Sequence, residues 1–203
     1  LPFVVHGRAT GTTLPYSWVD VNSARAFRRA TDFLMDLGHR RIALVNGLEF
    51  MDFAIRRRRG YVEALTERGL HPDPALMVQG EMTETQGHNA AQAMLRLPDP
   101  PTAFVTSSLL SAMGVRRAVE EAGLVMGRDV SIVTHDDDLG YLKNGDGEPI
   151  FTATRSSVRD AGRRAAGMLI DLINDPAPAP RNELLDAVLV VGNSTGPAPN
   201  RKG

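Results

Sequence analysis

Short apolar runs alternate along the chain with longer stretches in which apolar residues recur every three or four positions. This alternation is typical of βα units, which build a parallel sheet covered by helices. Runs of three to five apolar residues fit strands that are buried on both faces. The predicted strands are Phe3–Val5, Ile42–Val45, Leu76–Val78, Thr102–Val105, Val130–Val133 and Val188–Val191.

The first helical stretch shows the clearest period. Its apolar residues follow i, i+3/i+4, i+7 spacing, Ser23 is a suitable N-cap, and Gly38 lies just past its end. We expect the apolar stripe of each helix to face the core. The stripe of the first helix consists of Ala26, Phe27, Ala30, Phe33, Leu34 and Leu37, and the other predicted helices are Ala54–Arg68, Glu84–Leu97, Leu109–Ala122 and Val158–Ile173.

Two segments do not fit the βα pattern. Asp136 to Pro149 is predicted to be a loop of unusual length. In Asp175–Arg181, repeated prolines exclude a helix and favour an extended connector that leads to a terminal strand.

Composition narrows the class of protein. The 203 residues are 42% apolar, which is enough for a substantial core. Lys and Arg number 23 against 24 Asp and Glu, so the chain has no basic surplus for gripping DNA unaided. No apolar run approaches the roughly 18 residues of a membrane span, and the absence of cysteine excludes disulfides and thiolate metal sites. The sequence therefore predicts a soluble globular protein.

Polar residues follow several of the predicted strands. In open parallel sheets, ligands bind at the carboxyl ends of the strands, where loops and helix N-termini gather. The positions just after the strands are Asn46–Gly47, Gln79–Met82, Thr106–Ser108 and His135–Asp138. We expect these amide, hydroxyl and carboxylate groups to converge on one crevice.

The carboxylates of Asp136–Asp138 admit four interpretations. A magnesium phosphoryl-transfer site would also need a phosphate-binding Gly-rich loop or a placed lysine, and no GxxxxGK[ST] motif is present. A metal pair at His135–Asp136 lacks HxxxH or HExxH partners. The carboxylates can instead cap the loop and face water, or they can accept hydrogen bonds from ligand hydroxyls.

The run of four arginines, Arg56–Arg59, begins near a strand end. Four consecutive side chains on a helix cannot all face the core, so most of them are expected to be solvated. One of them can point to the crevice, where its planar fork could pair with a ligand. No GxSxG string or Ser/His/Asp order supports nucleophilic catalysis, and we expect a protein that is not an enzyme.

Six strings along the chain resemble, in order, the effector-binding domain of the lactose/galactose-repressor (LacI/GalR) family. Together they extend over nearly the whole chain. They are "LGHRRIALVNG" (Leu37–Gly47), "AIRRRRGYVEAL" (Ala54–Leu65), "PPTAFVTSSLLSAMGVRRAVEEAGL" (Pro100–Leu124), "DVSIVTHDDD" (Asp129–Asp138), "FTATRSSVRDAG" (Phe151–Gly162) and "VVGNSTG" (Val190–Gly196).

The resemblance implies an α/β fold of the type I periplasmic-binding-protein kind, with three layers in the order αβα and two subdomains joined by three crossovers. Residues 1–21 with 155–184 would form the remaining part of the N-terminal subdomain, which is expected to be incomplete. Residues 22–154 with 185–203 would form the C-terminal, effector-binding subdomain. The chain starts at Leu1 without methionine, so we expect a fragment without the family's helix-turn-helix module.

The resemblance also implies an effector site, transferred residue by residue. Arg57, three residues before a glycine in the family's RxxG pattern, would bind the ligand, and the strand-end Asp136 would accept sugar hydroxyls while Asp137 and Asp138 belong to the loop. His135 is either a pocket donor or a packed imidazole. The remaining expected contacts are Phe53 before the arginine, Met82 in place of an aromatic platform, Ser108 in place of an amide, Arg8 from the opposite wall and Ser156 after the second crossover.

The function implied is that of a sugar-responsive, cytoplasmic transcriptional repressor. This chain would be its effector-binding and dimerisation part, without cofactor, metal or membrane contact, and it would reach operator DNA only through the absent module. A sugar-binding protein of a transport system is the main alternative, and a magnesium-dependent phosphotransferase is a more distant one.

Overall fold

The computed structural model describes residues 1–175 and 179–200. Within these residues the chain forms strands β1 (Val4–His6), β2 (Ser17–Val21), β3 (Ile42–Asn46), β4 (Met77–Gln79), β5 (Ala103–Thr106), β6 (Ser131–Asp136), β7 (Thr152–Arg155), β8 (Asn182–Leu185) and β9 (Val188–Val190). Its helices are α1 (Ser23–Asp36), α2 (Asp52–Glu67), α3 (Glu84–Leu95), α4 (Leu109–Glu121) and α5 (Val158–Asn174), and a single 3₁₀ turn covers Pro74–Leu76.

The strands form two sheets. The larger has the order β4-β3-β5-β6-β7-β9 and is parallel except for the β7–β9 pair, whereas the smaller has the parallel order β1-β2-β8. The chain passes from one sheet to the other after β2, after β7 and again after β8. The predicted α/β class with mainly parallel sheets is confirmed.

Helices cover both faces of the larger sheet because its strands are apolar on both faces. Phe104 and Ile132 belong to one buried cluster, with residues of α3 and α4. Their sequence neighbours Val105 and Val133 point to the other face and belong to a second cluster, with residues of α1 and α2. This alternation gives a three-layer arrangement, and α5 packs on β1 and β2 of the smaller sheet.

The predicted helices all form, and their ends differ from the predicted ones by at most two residues. The N-cap of α1 is Asn22 and not Ser23: the Asn22 side chain accepts the Arg25 N–H at 3.2 Å. Strands β2, β7 and β8 were not predicted. The prediction for Asp175–Arg181 falls partly on residues 176–178, which lie outside the described residues.

No helix in the described ranges is both long and apolar enough to cross a bilayer.

The close packing of α1 on α2 depends on Gly60. A Cβ atom at this position would lie 2.0 Å from the backbone oxygen of Ala24. Glycine is therefore required here by the approach of two helix backbones. Because Gly60 is one turn from Arg57, the same contact fixes how that arginine enters the protein interior.

We predict that Gly60→Ala lowers the free energy of unfolding by about 2 kcal/mol, the usual cost of overpacking. Gly167→Ala in α5 is the matched control, since its added Cβ would meet no atom within 4 Å. That control should raise stability slightly, because alanine favours helix more than glycine does. Urea unfolding of both variants tests this, and equal effects of the two would contradict the packing argument.

His39 joins the beginning of β3 to the C-terminal segment. Its ring nitrogens contact Thr102 Oγ1 and Ser131 Oγ at 2.9 Å and the Gly196 carbonyl at 3.1 Å. Burial lowers the pKa of His39 below its usual value, although the bond to Gly196 acts in the opposite direction. The folded protein therefore keeps this imidazole neutral.

Because the pKa of His39 is lower in the folded state than in the unfolded chain, acidification below about pH 6.5 protonates the unfolded chain first and reduces stability. We predict that the free energy of unfolding falls between pH 7.5 and 5.5, and that His39→Gln reduces this fall by about 1 kcal/mol. The same substitution at exposed His71 is the control. An undiminished fall in His39→Gln, measured by urea unfolding at both pH values, would contradict the assignment.

Candidate functional site

Arg57 is held almost fully buried on α2. Its guanidinium carbon lies 5.0 Å from the centre of the Phe27 ring and 4.7 Å from that of Phe53, so aromatic rings contact it from α1 and from its own helix. Its Nη1 donates to the Ser107 carbonyl at 2.8 Å and lies 4.0 Å from the Met82 sulfur. These contacts fix the guanidinium just beyond the carboxyl ends of β3 and β5.

The charge of Arg57 is costly to bury. Burial lowers the pKa of Arg57 to about 10, while nearby Asp137 acts against this shift and the adjacent Arg56 adds to it. The side chain is still a cation at neutral pH. It therefore remains a charged hydrogen-bond donor.

The first turn of α2 is tied to the strand ends. Asn46 Nδ2 donates to the Ala54 carbonyl at 2.9 Å, and the Ser107 hydroxyl donates to Asn46 Oδ1 at 2.8 Å. A Cβ added at Gly47 would lie 3.2 Å from the Phe53 ring and 3.5 Å from the Met82 sulfur. Asn46 and Gly47, the residues predicted to follow β3, thus pack against or hold in place the helix start that carries Phe53.

The polar residues at the end of β6 point to two different faces of the sheet. His135 and Asp137 line a cavity next to Arg57, whereas Asp136 lines a separate polar cavity of about 250 Å³ near Arg155. The Asp136 Oδ1 atom accepts the backbone N–H of Asp138 at 2.9 Å. Asp136, predicted to bind the ligand, thus lies on the opposite face from His135, and Asp137, predicted to belong to the loop, shares the face of His135 because side chains along a strand alternate.

His135 connects this cavity to β7 and the passage that follows it. Its Nδ1 lies 3.0 Å from the Thr154 hydroxyl, and its Nε2 lies 3.2 Å from both Ser156 Oγ and Asp137 Oδ1. Burial lowers the pKa of His135, and the Arg57 charge lowers it further. Since a carboxylate can only accept, a neutral His135 carries its proton on Nε2, and its Nδ1 accepts a hydrogen bond from the Thr154 hydroxyl.

Three ionic residues form the other side of the cavity. Asp20, at the end of β2, accepts through Oδ2 from Arg8 Nε at 2.9 Å and lies 3.1 Å from Arg56 Nη2. Arg56 also donates to the Arg8 carbonyl at 3.1 Å. This group joins the smaller sheet to α2, and Arg8 lies over the Trp18 ring with its guanidinium carbon 5.1 Å from the ring centre.

These groups enclose a cavity of about 490 Å³ between the two sheets. It opens where β1, β2 and β6 end, which is where ligands of parallel sheets are expected. Its lining residues are Val5, His6, Gly7, Arg8, Ala9, Asp20, Val21, Ser23, Asp52, Phe53, Arg56, Arg57, Met82, His135 and Asp137.

Five of the eight predicted site residues line this cavity: Arg57, Phe53, Met82, Arg8 and His135. Asp136, Ser108 and Ser156 do not line it. Ser108 caps α4, where its hydroxyl accepts the Ser111 N–H at 3.2 Å, and Ser156 reaches the cavity only through His135.

Asp20, Arg56 and Asp137 were missed. Asp20 follows an apolar position near a strand end, the signal used elsewhere, but β2 itself was not predicted because polar residues interrupt its short sequence, SWVDV. Only one arginine of Arg56–Arg59 was expected to face the crevice, and the structure buries two, Arg56 and Arg57. Arg58 pairs with Glu49 and Arg59 with Glu63 at the surface.

The metal interpretation of the aspartate run gains no support from the geometry. Within residues 1–175 and 179–200, no three His, Asp or Glu side chains are grouped closely enough to hold a metal ion.

The fold and the cavity belong to a known class of protein. Residues 31–195 match the periplasmic binding protein-like domain family. The match extends over most of the chain, and the chain belongs to this family.

Relatives and solved structures narrow the class. AglR of Rhizobium meliloti (strain 1021), an HTH-type transcriptional regulator, is 47% identical over 201 residues, which are 99% of this chain and 56% of AglR. A regulatory protein of the LacI family from Chloroflexus aggregans is 30% identical with a TM-score of 0.84, covering 96% of this chain and 69% of that one. The complex of the regulator CelR with cellobiose is 31% identical with a TM-score of 0.86, covering 96% and 59%.

These likenesses confirm the resemblance to the LacI family and place the chain among the effector-binding domains of its regulators. The chain spans a little over half the length of AglR.

We predict that the imidazole of His135 titrates below the ordinary histidine pKa, and that Asp137→Asn lowers its pKa further, because the Asp137 carboxylate raises it. NMR of histidine labelled with ¹³C and ¹⁵N should show the proton on Nε2 at pH 7. An unchanged pKa in Asp137→Asn would show that the carboxylate does not face the ring, whereas a wild-type pKa at or above the ordinary histidine value would contradict the effect of burial.

Proposed function

We propose that this chain is the effector-sensing part of a sugar-responsive bacterial transcriptional regulator, with the effector bound in the cavity between the two sheets. One observation carries the proposal. In the described part of the chain, the buried side-chain nitrogen or oxygen atoms without a hydrogen-bond partner are Nε of Arg56 and Nε of Arg57. Both arginines line this cavity. A buried N–H without an acceptor is unfavourable by about 1–3 kcal/mol, and a small shift of either side chain on binding would bring this N–H to an acceptor oxygen of the ligand.

The charge of the cavity favours a neutral ligand. Three arginines, Arg8, Arg56 and Arg57, are balanced by three aspartates, Asp20, Asp52 and Asp137. Adjacent carboxylates and guanidinium groups suit hydroxyls, which donate to one and accept from the other. Phe53 and Met82 supply an apolar surface for the C–H faces of a ring. A sugar or a related polyhydroxylated metabolite meets these requirements.

Each predicted contact takes a role in this proposal. Arg57, Arg8, Phe53, Met82 and His135 would contact the effector, and Asp137 replaces Asp136 as the carboxylate. Ser156 would act through His135, and Ser108 through the backbone of Met82, whose carbonyl lies 3.5 Å from its hydroxyl.

In the proposed response to effector binding, the two sheets and the helices packed on them change their orientation relative to each other. We propose the subdomain division stated above, residues 1–21 with 155–184 and 22–154 with 185–203, since the passages between the sheets follow β2, β7 and β8. An effector that contacts both sides binds one relative orientation more tightly, and this shifts the population toward that orientation. In a cytoplasmic homodimer, such a shift would change the affinity of attached helix-turn-helix modules for operator DNA.

Regulation is favoured over sugar transport by the relatives. AglR, which matches nearly the whole chain, is named as a transcriptional regulator, and the solved complex with cellobiose is also that of a regulator.

The proposal predicts that one sugar stabilises the chain and that Asp137 is required. The panel is glucose, galactose, ribose, cellobiose, maltose, sucrose and trehalose. A ligand at a hundredfold excess over Kd adds about 2.7 kcal/mol to the stability of the folded state. Asp137→Asn should weaken binding at least tenfold, in line with about 1.5 kcal/mol for a hydrogen bond to a charged group, while Asp136→Asn, the matched control, should change it less than threefold.

Thermal shift and calorimetric titration measure both quantities. A loss in Asp136→Asn with none in Asp137→Asn would restore Asp136 as the ligand carboxylate. Failure of every panel sugar to bind the wild type would count against the sugar proposal itself.

A further inference from the structure

We infer that Asp20, held by Arg8 and Arg56, is a specificity-determining residue of this cavity and forms a second acid–arginine pair for ligand hydroxyls. It lies on the side opposite to Arg57 and Asp137. The inference rests on the proposed function and adds to it a residue at a strand end of the smaller sheet.

The first support is the way in which the Asp20 carboxylate is used. Both guanidinium groups approach the same oxygen, Oδ2, at 2.9 and 3.1 Å. No hydrogen bond to Oδ1 is found among the described residues, yet Oδ1 is not one of the fully buried atoms that lack a partner. Oδ1 therefore retains solvent contact, and it belongs to a residue that lines the cavity. This oxygen is a free acceptor that already has a fixed position.

The second support is the geometry of Arg56. Its Nη1 donates to the Arg8 carbonyl and its Nη2 contacts Asp20, which leaves Nε without a partner although it is buried. The side chain is 9% exposed, so few rotamers are open to it. Arg56, which contacts the Asp20 carboxylate, therefore has one N–H without an acceptor. A small shift of its side chain on binding would bring this N–H to the ligand.

This combination matches a hydroxyl pair on a sugar ring. One hydroxyl donates a hydrogen bond to a carboxylate oxygen, and a neighbouring hydroxyl accepts a hydrogen bond from a guanidinium N–H. Arg57 and Asp137 offer a similar combination from the larger sheet, since Arg57 also has an unpaired Nε. Burial acts to raise the pKa of Asp137, but the hydrogen bond to His135 and, to a smaller extent, the Arg57 charge lower it. The pair of Asp20 and Arg56 and the pair of Asp137 and Arg57 would bind hydroxyls at different positions of one ligand.

A purely structural alternative is available for Asp20. Its ion pairs with Arg8 and Arg56 join the smaller sheet to α2, and this alone could explain its burial. A structural role predicts a loss of stability and a uniform loss of affinity. A specificity role predicts that Asp20 is coupled to one particular hydroxyl of the ligand.

The test compares the wild type with Asp20→Asn, by calorimetric titration, for the sugar of the panel that binds the wild type and for the monodeoxy derivatives of that sugar. We expect at least one of these derivatives to bind the wild type at least tenfold more weakly than the parent sugar. In Asp20→Asn that difference should shrink below threefold, while the hydroxyl coupled to Asp137 keeps its full effect. Asp171→Asn is the matched control, because Asp171 is an exposed carboxylate paired with Arg181.

Two further variants keep the result interpretable. If Asp20→Asn does not fold, Asp20→Glu keeps the charge but moves the carboxylate by one methylene, and it should alter the order of preference among the deoxy derivatives. Arg56→Lys keeps a positive charge but loses Nε and the planar fork, and it should affect the same hydroxyl as Asp20→Asn.

The outcomes separate the two levels of inference. If no sugar of the panel binds the wild type, both the proposed function and this inference are overturned. If a sugar binds and every deoxy derivative shows the same relative affinity in the wild type and the Asp20 variants, the sugar proposal stands and the role of Asp20 in specificity is overturned.

Discussion

The buried guanidinium group of Arg57 is the constraint on which the arrangement of the site depends. A cation without solvent must be compensated locally, and here the compensation comes from two aromatic rings, a backbone carbonyl and the Asp137 carboxylate. These partners come from α1, α2 and the ends of β5 and β6. Each partner therefore comes from a different part of the fold. The packing of the helices on the larger sheet brings these parts together around Arg57.

The helix pair α1 and α2 shows how packing and chemistry are linked. Gly60 allows the backbone of α2 to approach Ala24, and the same approach brings Phe27 of α1 against the Arg57 side chain. The RxxG spacing in the sequence thus has a physical basis: the glycine permits the helix contact and the arginine, one turn earlier, uses the space that the contact creates. Asn46 and Ser107 fix the start of α2 from the strand side.

Apolar periodicity was sufficient to predict the larger sheet and its helices, because residues such as Phe104 and Val105 are buried on opposite faces of the same strand. It failed for β2, β7 and β8, whose strands carry polar side chains; Ser17, Asp20, Thr152 and Thr154 are buried through hydrogen bonds or ion pairs that only the tertiary structure supplies. The sequence also did not show which of the two carboxylates, Asp136 or Asp137, faces the cavity. Both follow an apolar strand, and the face that each takes depends on where the alternation of β6 continues into the loop.

The stacking of Arg8 on Trp18 gives the protein a built-in optical reporter. Trp18 is the single tryptophan of the chain, and a guanidinium group that also binds Asp20 lies over its ring. The emission of an indole responds to a cation on its face and to the water around it. Steady-state fluorescence of the unlabelled chain therefore follows the state of one wall of the cavity, without a dye and without a change to the sequence.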